Sequence, residues 1–220
     1  MLIGGVDDAG RGAVIGPLVI AGVAIQESDL HKIVSLGVKD SKLLSPAKRS
    51  SLAAEIKRVV EAYSVVRLAP AEIDAVVEKG GRLYRLNRLE ARAMARVIME
   101  LKPQIVYVDA SDVYPERFRD HIAENIPFDV HIISEHKADR NYPIVSAASI
   151  IAKVDRDSII AELRREYGDF GSGYAADPRT VRFLEDWVRT HGSFPEFVRK
   201  SWDTVKRIKG SYDPSQRRLI

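Results

Sequence analysis

The chemistry this chain can do begins in its first dozen residues. The apolar run Leu2-Ile3-Gly4-Gly5-Val6 ends in two adjacent acids, Asp7 and Asp8, and then in Ala9 and a turn of small residues, Gly10-Arg11-Gly12. Such a run reads as a buried strand, so the two carboxylates stand at its end beside the turn. Successive side chains on a strand point to opposite faces. Both acids can therefore act in one place only if the strand twists or bulges there, or if one acts through its backbone. Two carboxylates packed together repel each other and raise a pKa unless a cation neutralises them. Hard oxygen ligands favour Mg²⁺ or Mn²⁺ as that cation.

The same arrangement recurs twice. Gln104 to Val108 is an apolar strand that delivers Asp109, and Val130 to Ser134 is a strand followed by Glu135-His136-Lys137-Ala138-Asp139. A lone Asp at a strand end is usually a turn or cap residue, a reading that suits Asp40 and Asp112. Three strands that end in acids, separated by helical segments, point instead to an α/β domain with its site at the strand ends. His136 is open to a general-base role, a supporting role or plain solvation.

The elements that must position these groups follow from pattern. Val14 to Ile25 is β-branched, apolar and interrupted by glycines, which predicts one long or kinked strand. Gly10, Gly12 and Gly16 do not form a dinucleotide-binding turn, because the segment after them is strand-like and carries Pro17 rather than opening a helix. Ser45 reads as an N-cap with Pro46 in the first turn of a helix running to about Ala62. A strand is expected over 64–68, a helix over 70–77, a break at Gly80-Gly81 and a long helix over 83–101. Further helices are expected over 115–125 and 143–167. In the latter, Ser146, Ser149, Lys153 and Arg156 share one face. Hydroxyls and cations on one face suit phosphate, while small residues there suit close packing on a sheet. Asp177 caps a helix with Pro178 at its first position, and a last basic helix is expected over 195–209. Trp187 and Trp202 read as core.

Composition sets bounds. The chain has 220 residues, 45% hydrophobic and 30% charged, enough for one large domain with an appended lobe. No run of about 18 apolar residues is present, so no membrane span is expected. Cys is absent, which excludes disulfides and thiolate metal sites. No secretory signal is read at the N-terminus, and a cytoplasmic location is expected. Residues 140–220 hold 15 Lys and Arg against 11 Asp and Glu, a surplus of four, whereas residues 1–139 hold 19 against 20. A basic C-terminal stretch beside a carboxylate-rich site suits a polyanion held over a metal centre; a solubilising helix face is the plainer alternative.

Four stretches carry a resemblance to a known family. They are Val6 to Gly12; Val38-Lys39-Asp40-Ser41-Lys42; His136 to Asp139 with Ser146 to Val154; and Gly171-Ser172-Gly173-Tyr174 with Asp177-Pro178-Arg179-Thr180. In this order they resemble ribonuclease HII, the type 2 ribonuclease H family, in its archaeal form, from Leu2 to about Arg207. The resemblance implies a ribonuclease H-like fold: a five-stranded mixed sheet flanked by helices over 1–167, with a basic C-terminal helical lobe over 168–220. It implies a metal-dependent endoribonuclease that cuts the RNA strand of RNA/DNA hybrids and cuts 5′ to a single ribonucleotide in duplex DNA, leaving 3′-hydroxyl and 5′-phosphate ends. Asp7, Asp8, Asp109 and Asp139 match its four metal-binding acids, which hold two divalent ions, Mg²⁺ or Mn²⁺. Gly10, Arg11 and Gly12 match the turn that meets the ribose 2′-hydroxyl, and Tyr174 matches the tyrosine that packs on the next sugar. Arg11, Lys42, Ser149 and Lys153 are the expected phosphate contacts. The chain departs from the pattern at Asp8, where the family usually has Glu. Asp reaches about 1.5 Å less far, which bears on metal preference. A monomer is expected. Gln216 and Leu219 begin a pattern like a sliding-clamp-binding tail, without the aromatic pair that completes it. The competing readings are a metal nuclease of the same fold acting on DNA, and a hybrid-binding protein without activity.

Overall fold

The computed structural model describes residues 1–38, 45–79 and 82–212. Strands β1 (Leu2–Ala9), β2 (Leu18–Gln26), β3 (Ala62–Leu68), β4 (Ile105–Asp109) and β5 (His131–Glu135) form one sheet in the order β3-β2-β1-β4-β5. β1, β2 and β3 pair antiparallel, and β4 and β5 lie parallel to β1. The expected five-stranded mixed sheet is what the chain forms.

Helices cover both faces. On one side lie α1 (Leu30–Ser35), α2 (Pro46–Val59) and α7 (Pro143–Tyr167), over a core that includes Ile3, Val19, Ala21, Val23 and Ile25. On the other lie α3 (Pro70–Val77), α4 (Arg82–Leu101) and α5 (Pro115–Ala123), over Val6, Leu18, Ile20 and Ala24. The odd residues of β1 thus face the α7 layer and its even residues the α4 layer, as the two-residue period of a strand requires. α7 lies directly on β1: a Cβ at Gly5 would come within 2.5 Å of the Ile144 backbone. Ala147, Ala148 and Ala152 let the helix settle that closely.

The short helix α6 (Ala138–Asn141) follows β5, and α8 (Pro178–His191) and α9 (Asp203–Gly210) complete the chain. The α4-side core continues without a break into this C-terminal part through Phe170, Leu184, Val188, Phe194, Trp202 and Val205. Asp177 caps α8 as expected, its carboxylate accepting the Arg179 N–H at 3.0 Å.

Three expectations are corrected. The strand expected from Val14 begins at Leu18; Ala13 and Ile15 make only isolated bridges, to Tyr174 and Val198. Their main-chain groups are drawn to the C-terminal part instead, the Val14 N–H to the Gly173 carbonyl at 2.8 Å and the Val14 carbonyl to the Arg199 N–H at 2.9 Å. The helix expected from Pro195 begins at Asp203. Buried Asp74 of α3 accepts the Lys200 and Ser201 N–H groups at 2.8 and 2.9 Å, and the Ser201 hydroxyl as well, which holds 199–202 as a turn. The short helices α1 and α6 were not anticipated: six and four residues give too little periodicity to read. Lys42 and Asp40, the Gly80-Gly81 break, and Gln216 and Leu219 lie outside the described residues.

Asp74→Ala leaves three donors at 200–201 without their acceptor, the two of Ser201 buried. We expect a loss of about 3 kcal/mol, or about 10 °C in melting temperature, measurable by urea and thermal unfolding. A change under about 2 °C would show that Asp74 does not hold this turn.

Candidate active site

The parallel register that pairs Val6 with Val108 sets Asp7 and Asp109 side by side at the C-terminal ends of the two central strands. Asp7 is 4% exposed. Burial, and then the charge of Asp109, push its carboxyl up to about 7; a hydrogen bond from Ser149 and the nearby Lys153 act in the other direction. The Lys153 ammonium donates to Ser149 Oγ at 2.6 Å. Asp7, Ser149 and Lys153 thus form one chain of contacts between β1 and α7.

Asp109 Oδ1 accepts the Ala138 N–H at 2.8 Å. This bond ties the end of β4 to the start of α6, the helix that carries Asp139. Ser146 of α7 closes the same corner by donating to the main-chain carbonyls of Asp139 and Tyr142. The acid that ends β5, Glu135, accepts from the Tyr142 hydroxyl at 2.8 Å and from Asn141 at 3.3 Å, so it braces α6. His136 lies with Nδ1 and Nε2 at the Ala110 and Val113 carbonyls, 3.3 and 3.2 Å away, and is engaged with that loop.

Asp8 stands apart. β1 keeps its register through Ala9↔Val19, without a bulge, so the Asp8 side chain faces the α4 layer. There it meets Glu90, which is fully buried. Burial first, then the charges of Glu90 and Asp7, hold its carboxyl well above the usual range, with Arg11 opposing them. Among the described residues, no group of three or more His, Asp or Glu side chains is drawn close enough to hold a metal ion. Buried Asp7 and half-buried Asp109, mutually repelling, are the pair whose charge fits a divalent cation. Asp139 hangs on the same corner through α6, and Asp8, next to Asp7, faces Glu90 and lines the groove beside the turn.

The turn after β1 is held from several directions. Gly10 has φ +88°, a left-handed conformation that favours glycine. Arg11 donates from Nε to Glu90 Oε2 at 2.9 Å and from Nη2 to Asn87 Oδ1. Glu90 also accepts the Ser111 hydroxyl at 2.7 Å, and Asn87 donates to Asp112 at 2.9 Å. Asp112, expected as a turn residue, accepts the Tyr114 N–H and pairs with Arg117. These contacts hold its carboxyl down to about 2 against the effect of burial. Beside the turn is an open groove whose walls include Asp8, Gly10, Arg11, Lys153, Arg156 and Tyr174.

Of the residues expected at a site, the structure thus brings Asp7, Asp109, Ser149 and Lys153 into one contact chain. It sets Gly10, Arg11, Gly12, Lys153 and Tyr174 around one groove. Ser149 is 1% exposed. Glu90 was not foreseen, although it left a signal: it lies in phase with Leu86 and Met94 on the apolar stripe of α4, where an acid needs a buried partner. Arg199, 0% exposed, left none.

A family model described as Ribonuclease HII matches residues 4–205. Ribonuclease HII of Pyrococcus abyssi is 46% identical over 218 residues, 98% of this chain and 95% of that protein. The crystal structure of ribonuclease H2 from Pyrococcus horikoshii is similar at a TM-score of 0.88 and 43% identity, covering 96% of this chain and 98% of that one. The structure of the PCNA:RNase HII complex from Archaeoglobus fulgidus contains a chain similar at a TM-score of 0.84 and 43% identity, covering 94% and 96%. A family model over almost the whole chain and relatives alike along almost their whole length lead to one conclusion: this chain belongs to the ribonuclease HII family, endonucleases that act on the RNA of RNA/DNA hybrids.

Proposed function

We propose that the chain nicks duplex DNA 5′ to a single embedded ribonucleotide, as well as cutting longer hybrids, by chemistry that depends on two divalent ions. The observation that carries this reading is the meeting of buried Asp7 with the charge of half-buried Asp109, beside a groove that holds both the glycine turn and Tyr174. Asp7 and Asp109 would hold the ions, and Asp139, carried to the same corner by α6, would complete the set by closing on them, with Asp8 turned toward the turn. Divalent ions bound there supply an activated water and relief of the charge that develops on the scissile phosphate.

The chain's own groups do the rest. Ser149 and Lys153 hold the Asp7 carboxylate toward the strand end and favour its charged form. A 2′-hydroxyl is both donor and acceptor, and the Gly10-Arg11-Gly12 turn lines the groove to meet it, with Gly12 exposed and the Gly10 and Arg11 carbonyls already held by Arg199. Tyr174 forms the facing wall, where a deoxyribose packs and a further hydroxyl would crowd. Lys153 and the basic lobe over 168–220 attract phosphates and fix register. Lys42 is a further phosphate contact on this reading. The Archaeoglobus fulgidus complex supports a PCNA-type partner for the tail that begins at Gln216.

Three outcomes test this. A duplex with one ribonucleotide, incubated with Mg²⁺ or Mn²⁺, should be nicked on its 5′ side; cutting of all-DNA duplex, or binding without cutting under either metal, would favour the competing readings. Asp109→Asn should lower cleavage about a thousandfold, the effect of losing several kcal/mol of charge stabilisation, while hybrid binding stays within about threefold. Cleavage by Asp109→Asn at the wild-type rate would remove Asp109 from the metal site.

The third concerns pH. A carboxyl whose folded pKa lies above its unfolded one stabilises the fold only while protonated. For Asp7 that contribution is full below about pH 4 and is lost as pH rises through about 7. The metal-free protein should therefore be less stable at pH 8 than at pH 5, and Asp7→Asn should reduce the difference by about 3 kcal/mol. Melting in EDTA at the two pH values measures this, and equal slopes for wild type and Asp7→Asn would refute it.

A further inference from the structure

Two arginines that no reading of the metal site uses are buried around the glycine turn. Arg199, from the C-terminal part, is fully buried and donates from Nη2 to the Gly10 carbonyl at 2.7 Å, from Nη1 to the Arg11 carbonyl at 2.8 Å and from Nε to the Gly16 carbonyl at 3.0 Å. Burial, and then the charge of Arg156, lower its guanidinium to about 9. Arg156, from α7, is 5% exposed and sits on the other side of the same turn. Its Nη2 reaches the Ile15 carbonyl at 3.5 Å, and its buried Nε finds no hydrogen-bond partner among the described residues.

Two like charges buried together cost stability unless they serve something else. What Arg156 touches shows what that is. A Cβ on Gly10 would come within 2.3 Å of Arg156 Nε, so the guanidinium is packed flush against the turn. Its other side lies 4.9 Å from the centroid of the Tyr174 ring, within cation–π range. A Cβ on Gly173 would come within 3.5 Å of Nη2. The arginine is therefore sandwiched between the backbone of the turn and the ring across the groove, and all three line that groove.

We infer that Arg156 is a positioning residue for specificity: a rigid planar spacer that sets the gap between the Gly10-Arg11-Gly12 turn and Tyr174, with Arg199 fixing the turn on the opposite side. This deepens the function proposed above and rests on it. Discrimination between a ribonucleotide followed by DNA and a continuous hybrid depends on that gap, because the turn meets one sugar and the ring the next. The guanidinium suits the task, since its plane stacks on the ring while its stem is held by packing. Lys offers no plane, and Met no charge.

The test compares two substrates: duplex DNA with one ribonucleotide and a continuous RNA/DNA hybrid, each with Mg²⁺, with kcat and KM measured separately. Arg156→Lys and Arg156→Met should each lower the ratio of kcat/KM on the first substrate to that on the second about tenfold, since a misplacement of about 1 Å can cost up to about 10²-fold. Arg156→Met removes a buried cation from beside Arg199, so it keeps the fold if the lysine variant loses it. Because Arg156 acts through Tyr174, the double variant Arg156→Met/Tyr174→Ala should match Tyr174→Ala in this ratio within about twofold. An unchanged ratio, parallel loss on both substrates, multiplying losses in the double variant, or failure of both single variants to fold would each overturn the spacer role. A wild type that leaves the single-ribonucleotide duplex intact overturns the proposed function itself, and that result is visible before any variant is made.

Discussion

Two acids, Asp7 and Asp109, are carried by neighbouring parallel strands into the same buried corner, and the rest of the structure depends on how their repulsion is met. Antiparallel pairing would bring the carboxyl end of one strand against the amino end of the other. The parallel register of β1 and β4 brings the two carboxyl ends together. Burial of Asp7, and then the charge of Asp109, make its ionisation unfavourable and push its carboxyl up to about 7. The corner stores an unsatisfied demand for positive charge. Lys153, acting through Ser149, meets part of it. The remainder is what a divalent cation would supply.

This constraint explains why α7 is built as it is. A helix that brings Ser149 and Lys153 to Asp7 must lie almost in contact with β1. That contact requires Gly5 below it and a run of small residues above. Ser146 and Ser149 on the helical face that the sequence marks as suited to phosphate are both buried. Ser146 anchors the carbonyl of Asp139 and Ser149 holds Asp7, so close packing and polar chemistry are served by the same side chains.

Much of this was legible in advance, for physical reasons. Strands that end in acids are local patterns, and so are α7 and the Asp177 cap, because period and capping are written in neighbouring residues. The period of a strand also told that Asp7 and Asp8 leave the sheet on opposite faces: an unbroken register sends them to opposite layers, where Asp8 meets Glu90. What could not be read depends on contacts across long stretches of chain. Asp74 captures main-chain groups at 200–201 and moves the start of the last helix by a full turn and more. Arg199 lies in a basic stretch where the sequence suggests a solvated helix face, yet it is wholly buried. Nothing near either residue in the sequence names its distant partner.

The use of carbonyls rather than carboxylates as partners for Arg199 has a consequence for the whole groove. A guanidinium paired with an acid would be neutralised, and the acid would repel any phosphate nearby. One whose donors all go to main-chain oxygens fixes the turn and leaves its positive charge in the local field. Arg156 does the same on the opposite side, touching the Ile15 carbonyl and the face of Tyr174. Asp7 and Asp109 make one end of the region electron-rich and hungry for cations. The two arginines and Lys153 put positive charge at the other end, beside Asp8 and Asp157 of the groove's walls. A polyanion lying along the groove and a cation lodged at the strand ends are therefore the two partners that cancel the imbalances the fold builds in. A bare carboxylate corner would repel a phosphate, so the basic end is what allows an anionic strand to approach the acids at all.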